Sequence, residues 1–269
     1  MDEIARYNLA RWQALVEAQA VFTRPELHLD PSRAQALLDP EQRLGDVAGK
    51  AVLCLAAGGG QQSIAFALRG AQVTVVDLSD AQLHHDRQAA AQYGLEITLL
   101  QADMRDLSAL DGADFDIVYQ PYSLGFVPDA QLVFEQVAQV IRPSGLYYFM
   151  CANPFVLGLG PQDWNGQGYT LKHPYINGAE LRYDDPAWVY DRSKSASTIA
   201  APREYRHTLS TLVSGLVSNG FVIMHLSDYS GFTPDLNAEA GTWAHMLSIA
   251  PPWLSFWSSY RPEVLTPAD

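Results

Sequence analysis

The stretch Val52-Leu53-Cys54-Leu55-Ala56-Ala57-Gly58-Gly59-Gly60-Gln61-Gln62-Ser63 decides how the rest of the chain is read. A short apolar run, 51–57, has the length and composition of a buried strand. It ends in small residues, and Gln61 then opens a helix that Gly70 closes. Small side chains at such a turn let the backbone approach a ligand closely, and the first helical N–H groups are unpaired donors. Taken alone the glycine run is a weak signal, because a tight strand-to-helix turn with no ligand gives the same pattern.

Working outward, the same alternation continues. Strand 73–76 is followed by helix 79–93, closed by Gly94; then come strands 96–100 and 115–119, helix 129–141 and strand 146–151. In the last helix Val133, Val137, Val140 and Ile141 form one apolar face. Strands alternating with helices at this spacing predict an α/β fold: a doubly wound, Rossmann-like, mostly parallel seven-stranded sheet with helices on both faces. Upstream, residues 4–20 carry Leu9, Trp12, Val16 and Ala20 at helical intervals and read as an amphipathic helix. A turn-rich connector with Pro25, Pro31, Pro40 and Gly45 leads to the first strand. Downstream the rhythm breaks at 154–202, which is rich in Gly, Pro and aromatics. A helix is expected near Glu204, closed by Asn219-Gly220, followed by strands 221–226 and 253–260 with an irregular stretch between them. The whole, 1–269, reads as one domain with 154–202 inserted in it.

Composition narrows the function. Lys+Arg 17 against Asp+Glu 30 gives a net charge of -13, a field that repels phosphate backbones and anionic lipid. Nucleic acid and membrane are therefore not expected partners, whereas neutral or cationic ligands are tolerated. No apolar run approaches the ~20 residues that cross a bilayer. The start, Met1-Asp2-Glu3-Ile4, lacks a secretory signal's basic and apolar regions, so a cytoplasmic location is expected. Cys54 and Cys151 sit in strand-like runs and read as buried free thiols. A small-molecule substrate and a monomer or homodimer are the expectation.

Two acids sharpen the picture. Asp77 ends the second strand, where a carboxylate beside the glycine turn can accept both hydroxyls of a ribose; helix capping, the other role open to it, is already served nearby by Ser79 or Asp80. Gln101-Ala102-Asp103-Met104 follows the third strand, placing an acid that can bond an adenine amine before a flat apolar side chain. Together these segments resemble the class I S-adenosylmethionine-dependent methyltransferases, in their small-molecule branch. The likeness extends to Phe115-Asp116-Ile117-Val118, to Ile141-Arg142-Pro143-Ser144-Gly145 and to Tyr205-Arg206-His207-Thr208-Leu209 before Gly220-Phe221.

The resemblance implies S-adenosylmethionine as cofactor. It implies that Ala56, Gly58, Gly60, Gln61 and Gln62 face the methionine part, Asp77 and Leu78 the ribose, Asp103 and Met104 the adenine, and Gln120 the sulfonium. Tyr122 would face the transferred methyl group, and His207 would be a pocket-facing residue at a helix start, though a structural histidine fits it equally. Residues 1–22 would be an N-terminal lid-like helix, as in similar enzymes, and its Tyr7 and Trp12, with Trp164, Tyr169 and Tyr175 of the insertion, would recognise the acceptor. Two departures stand out: Cys54 occupies the place of an acid that orients the glycine turn or the methionine amine, and Ala56 replaces the first glycine. Gln61, Gln62 or Gln120 is expected to supply the missing contact.

No metal is expected. His84, His85 and Asp86 are adjacent on a helix and point in different directions. Glu180, Asp184, Asp185 and Asp191 lie among aromatics that include Trp188 and Tyr190, a mixture that suits an aromatic or amine-bearing acceptor. Methyl transfer can run on proximity and alignment without a base. Two alternatives stay open. The glycine turn and Asp77 nearly fit a nicotinamide-dependent oxidoreductase, although Ser63 breaks its third glycine and no hydride-transfer constellation such as a Tyr-x-x-x-Lys motif on a helix is found. A non-catalytic binding protein of the same fold is the other.

Overall fold

The computed structural model describes residues 1–183, 199–228 and 232–265. Asp184, Asp185, Trp188, Tyr190 and Asp191 lie outside the described residues. In chain order the regular elements are α1 (Glu3–Glu17), α2 (Pro31–Leu38), β1 (Ala51–Leu55), α3 (Gln62–Leu68), β2 (Gln72–Asp77), α4 (Asp80–Tyr93), β3 (Thr98–Gln101) and β4 (Phe115–Gln120). They continue with α5 (Ala130–Val140), β5 (Ile141–Ala152), β6 (Glu180–Arg182), β7 (Arg203–Tyr205), α6 (Leu209–Ser218), β8 (Phe221–Ser227), α7 (Trp243–Ile249) and β9 (Trp253–Tyr260).

Seven strands form one sheet in the order β3-β2-β1-β4-β5-β9-β8. The strands β3 to β5 are parallel, and β9 runs antiparallel to both β5 and β8. Side chains alternate across a strand, so the sheet has two apolar faces. One carries Leu53, Leu55, Val118, Tyr147, Phe149 and Phe256 against Val133, Phe134 and Val137 of α5 and Leu212 and Leu216 of α6. The other carries Val52, Cys54, Val75, Ile117 and Tyr119 against Ala34 and Leu38 of α2 and Ala65 and Phe66 of α3. Burial on both faces explains why the central strands read as continuous apolar runs.

Four elements differ from the sequence reading. Thr208 caps α6 by accepting from Thr211 N–H, so that helix starts well after Glu204, and Glu204 instead pairs with Leu181 in a two-stranded β6–β7 hairpin. β5 begins at Ile141, where α5 has just ended. The connector contains α2, whose N-cap Asp30 accepts from Arg33 N–H with Pro31 at the first helical position. The irregular stretch before β9 contains α7, capped by Thr242. Among the described residues no helix is long and apolar enough to cross a membrane.

The α5 face is the most demanding part of this core. Phe134 is fully buried and its ring lies 5.5 Å from that of Phe149 and 6.2 Å from that of Tyr147. Phe134→Ala is expected to cost about 3–5 kcal/mol in urea unfolding. Met224→Ala, at an exposed position on β8, should stay within about 0.5 kcal/mol of wild type.

Candidate active site

The site is built where β1 ends. Ala56 turns the chain with φ 48° and donates its N–H to the carbonyl of Val76 at 2.7 Å. A left-handed alanine costs about 1–2 kcal/mol, so this turn is held in place by what surrounds it. Two carboxylates do so, the half-buried Asp77 and the buried Asp86. Asp77, at the end of β2, accepts Gly58 N–H at 2.9 Å on one oxygen and Ser79 N–H at 2.8 Å on the other. Asp86, on α4, accepts Gly59 N–H at 2.7 Å, Gly60 N–H at 3.0 Å and the Ser63 hydroxyl at 2.5 Å. Gly58 has no room for a side chain, since a Cβ there would stand 2.7 Å from Gln82 Cβ and 3.0 Å from the Asp77 carboxyl. Burial pushes the Asp86 carboxyl up to about 6, against the hydrogen bonds from Ser63 and Gly59. It raises Asp77 as well, against the N–H groups of Ser79 and Gly58.

A cleft of ≈ 410 Å³ opens from this turn along the carboxyl ends of the strands. Ala56, Gly58, Gln62, Asp77, Leu78, Gln82, Asp103 and Met104 line it beside β1, β2 and β3; Trp12, Phe22, Tyr122, Phe126, Met150 and Trp253 line it toward β4, β5 and β9. α1 covers the mouth. Its N-cap Asp2 accepts from Ala5 N–H and from Arg105 at 2.8 Å, and Arg105 also binds Asp103 at 2.6 Å. The Arg105 guanidinium holds the Asp2 carboxyl well below the usual carboxylate range. Beside β4, Tyr122 donates to Glu204 Oε1 at 2.6 Å, and Tyr183 bonds the same carboxylate. Burial raises Glu204 above the ordinary carboxylate value.

Comparison with known proteins decides which chemistry this cleft serves. A family described as "Methyltransferase domain" matches residues 52–145. The uncharacterized methyltransferase YbaJ of Bacillus subtilis (strain 168) is 30% identical over 83% of this chain and 86% of its own length. The chain belongs to the S-adenosylmethionine-dependent methyltransferase family. The ubiquinone biosynthesis O-methyltransferase of Stutzerimonas stutzeri (strain A1501) is 36% identical over 57% of this chain and 66% of that protein. An S-adenosylmethionine-dependent methyltransferase from Mesorhizobium loti shares the fold, with a TM-score of 0.62, 22% identity and coverage of 85% of this chain and 96% of that one.

S-adenosylmethionine is the cofactor of this methyltransferase, and the residues present fit it. Asp77 borders the cleft, and beyond the N–H groups of Gly58, Ser79 and Leu78 that it accepts, its two oxygens keep lone pairs for ligand hydroxyls. Gln82 Oε1 is buried there with no hydrogen-bond partner among the described residues. Gly58 itself lines the cleft, so its bare backbone borders the space a ligand would take.

Of the residues singled out in the sequence, the cleft gathers Ala56, Gly58, Gln61, Gln62, Asp77, Leu78, Asp103, Met104, Tyr122 and Trp12. The others lie elsewhere. Gly60 is turned away, its Cβ position facing Ala89, Pro25 and the His85 carbonyl. Gln120 lies beneath the cleft floor, accepting from Tyr147 and donating to Ser123 and to Met104 Sδ. His207 is buried against the Leu124 carbonyl at 3.1 Å and is a structural histidine in this fold. Tyr7 donates to the Ala201 carbonyl and lies under Arg203. Trp164 and Tyr169 pack on each other and on His245 of α7, while Tyr175 stacks on Phe155 and its hydroxyl accepts Leu209 N–H. Trp164, Tyr169 and Tyr175 thus cover one another and neighbouring segments, and among the described residues the aromatic walls of the cleft include Trp12 of α1, Phe22 after it and Trp253 of β9.

The glycine turn, which Cys54 cannot hold as an acid would, is held by Asp86 through the N–H groups of Gly59 and Gly60. Gln61 donates to the carbonyls of Phe22 and Arg24, which ties the segment after α1 to the turn. A signal for Asp86 exists in the sequence: Gln82, Asp86 and Ala89 share one face of α4, and that face meets the glycines. Because its folded value is about 6 and its ordinary value is 3.8, Asp86 takes up a proton in the folded state first. Its contribution to stability is therefore present below the unfolded value and lost as pH rises through about 6. Asp86→Asn should gain on wild type by about 2 kcal/mol between about pH 4.5 and about pH 7.5 in paired urea titrations. Parallel stability curves would show that Asp86 is not the shifted group.

Proposed function

We propose that this methyltransferase methylates a hydroxyl of a small aromatic acceptor bound beneath α1. The observation that carries the reading is the division of one continuous cleft. Its β1–β3 side presents carboxylates, an amide and glycine; its β4–β9 side presents Trp12, Phe22, Phe126 and Trp253 around the Tyr122 hydroxyl. Flat apolar walls beside the Tyr122 hydroxyl suit an aromatic ring with a hydroxyl. A relative named for ubiquinone biosynthesis O-methylation accords with that class. An amine-bearing acceptor gains no support, since Glu180 is engaged by Arg182 and Arg203.

On the donor side Asp77 would hold the ribose hydroxyls. Leu78, Met104 and Asp103 would flank the adenine, with Asp103 shared between its amine and Arg105. Gly58, Gln62 and Gln82 would border the methionine part. When bound, the donor supplies an electrophilic methyl carbon on a sulfonium. The protein's part is alignment and proton removal. α1 and the aromatic walls exclude water and fix the ring, which supplies most of the rate. Tyr122 donates to Glu204, and in the proposed relay the acceptor's hydroxyl proton passes to the Tyr122 oxygen as the Tyr122 proton passes to Glu204. Glu204, raised by burial, is the better proton acceptor for it.

Transfer of labelled methyl groups to a panel of phenols and catechols tests this. Glu204→Gln is expected to lower kcat by about 10²-fold and Tyr122→Phe to slow it too, both with unchanged affinity for S-adenosylhomocysteine. Unchanged turnover in Glu204→Gln would remove the proton relay. A panel with no labelled product would remove the acceptor class.

A further inference from the structure

Two cations line the cleft among the described residues, Arg11 and Arg105. Arg105 is committed, bound to Asp103 and to Asp2. Arg11 is not. It points inward from α1 on the buried face that also carries Ala5, Asn8 and Leu15, and only 5% of it is exposed. It makes no hydrogen bond or ion pair within the described residues, and its Nε is buried without a partner. Glu204, 1% exposed, attracts it, but that carboxylate is already engaged by Tyr122 and Tyr183. Burial pushes the Arg11 guanidinium down to about 10, which still leaves it charged at neutral pH.

An unpaired buried cation is costly, by several kcal/mol before compensation. Guanidinium groups present a planar fork matched to a carboxylate, and they bind it most strongly where water is excluded. A second donor borders the same space: Ser123 accepts from Gln120 on Oγ and keeps its own O–H to give. The acids of the cleft lie toward the opposite edge of the sheet, where Asp77 and Asp103 end β2 and follow β3. The acceptor side, despite a chain charge of -13, thus holds an uncommitted positive group.

We infer that the acceptor is an aromatic carboxylate, its anionic group bound by Arg11 beneath α1 while its hydroxyl meets Tyr122. This rests on the aromatic-acceptor reading above and adds a charge to it. Arg11 is then a specificity-determining residue, and α1 is both the cover of the cleft and the carrier of the group that selects the substrate.

The test uses matched pairs, hydroxybenzoates and dihydroxybenzoates against their carboxamides, with labelled donor and the full chain. Wild type should favour the carboxylate member by about 10- to 100-fold in kcat/KM, the range of a hydrogen bond to a charged group. In Arg11→Gln that preference should fall to near unity, mainly through KM, while Arg11→Lys keeps part of it. Affinity for S-adenosylhomocysteine should be unchanged in both variants, which verifies that they fold. Equal use of acid and amide by wild type, or a preference that survives Arg11→Gln, overturns the inference and leaves the aromatic reading intact. Transfer to neither member of any pair overturns both. Loss of S-adenosylhomocysteine binding in both variants would make Arg11 part of the cofactor site, and the inference would fall.

Discussion

The carboxylate of Asp86 accepts two glycine N–H groups and a serine hydroxyl, and the shape of the cleft depends on that set of bonds. Without them Gly59 and Gly60, both at positive φ in the turn after β1, would lose the partners of their N–H groups. Backbone freedom is greatest at glycine, so a turn of this composition is ordered only when its N–H groups are spoken for. The cost is electrostatic. Asp86 and Asp77 are acids close enough to repel each other, and burial outweighs the hydrogen bonds that favour their charged forms. Strain of this kind persists where surrounding structure over-determines it, and here that structure is α4 packed on the turn.

The same turn fixes what lies on either side. Gln61 reaches from it to the carbonyls of Phe22 and Arg24 and anchors the segment that follows α1. At the other end of α1, Asp2 and Glu3 are tied to Arg105 and Arg203. These pairs are partly exposed, and such pairs contribute about 0–1 kcal/mol each. α1 is thus fastened at its start by these pairs, in its middle by Tyr7 on the Ala201 carbonyl and Asn8 on the Phe126 carbonyl, and at its end through the turn. Beneath it the polar edge by β2 and β3 and the aromatic edge by β4 and β9 follow directly from the strand order.

Much of this was legible in the sequence where a periodic signal coincided with a chemical one. Apolar runs interrupted by Gly58, Gly94 and Gly145 disclosed the parallel strands, and Asp77 and Asp103 declared themselves by ending strands. What stayed hidden had no local signal. An acid in mid-helix, such as Asp86, looks like a solvated residue until the helix is docked on the glycines. Glu204 reads as part of a helix because its strand is three residues long and pairs only with β6. The aromatics of 154–202 resemble a binding surface in composition, yet Trp164, Tyr169 and Tyr175 spend their faces on His245, Phe155 and one another. Arg11 carries the opposite lesson: chain-wide charge argued for cationic or neutral ligands, and one buried side chain reverses that expectation within the cleft.

Calorimetric titration of S-adenosylhomocysteine into wild type and Asp77→Ala tests the central claim that the turn held by Asp77 and Asp86 is the donor site. Wild type should bind it and ignore NADH, and the variant should bind about 1.5–3 kcal/mol more weakly, as expected for lost hydrogen bonds to a charged acceptor. An unchanged affinity in a folded Asp77→Ala protein, or tighter binding of NADH than of S-adenosylhomocysteine by wild type, would contradict it.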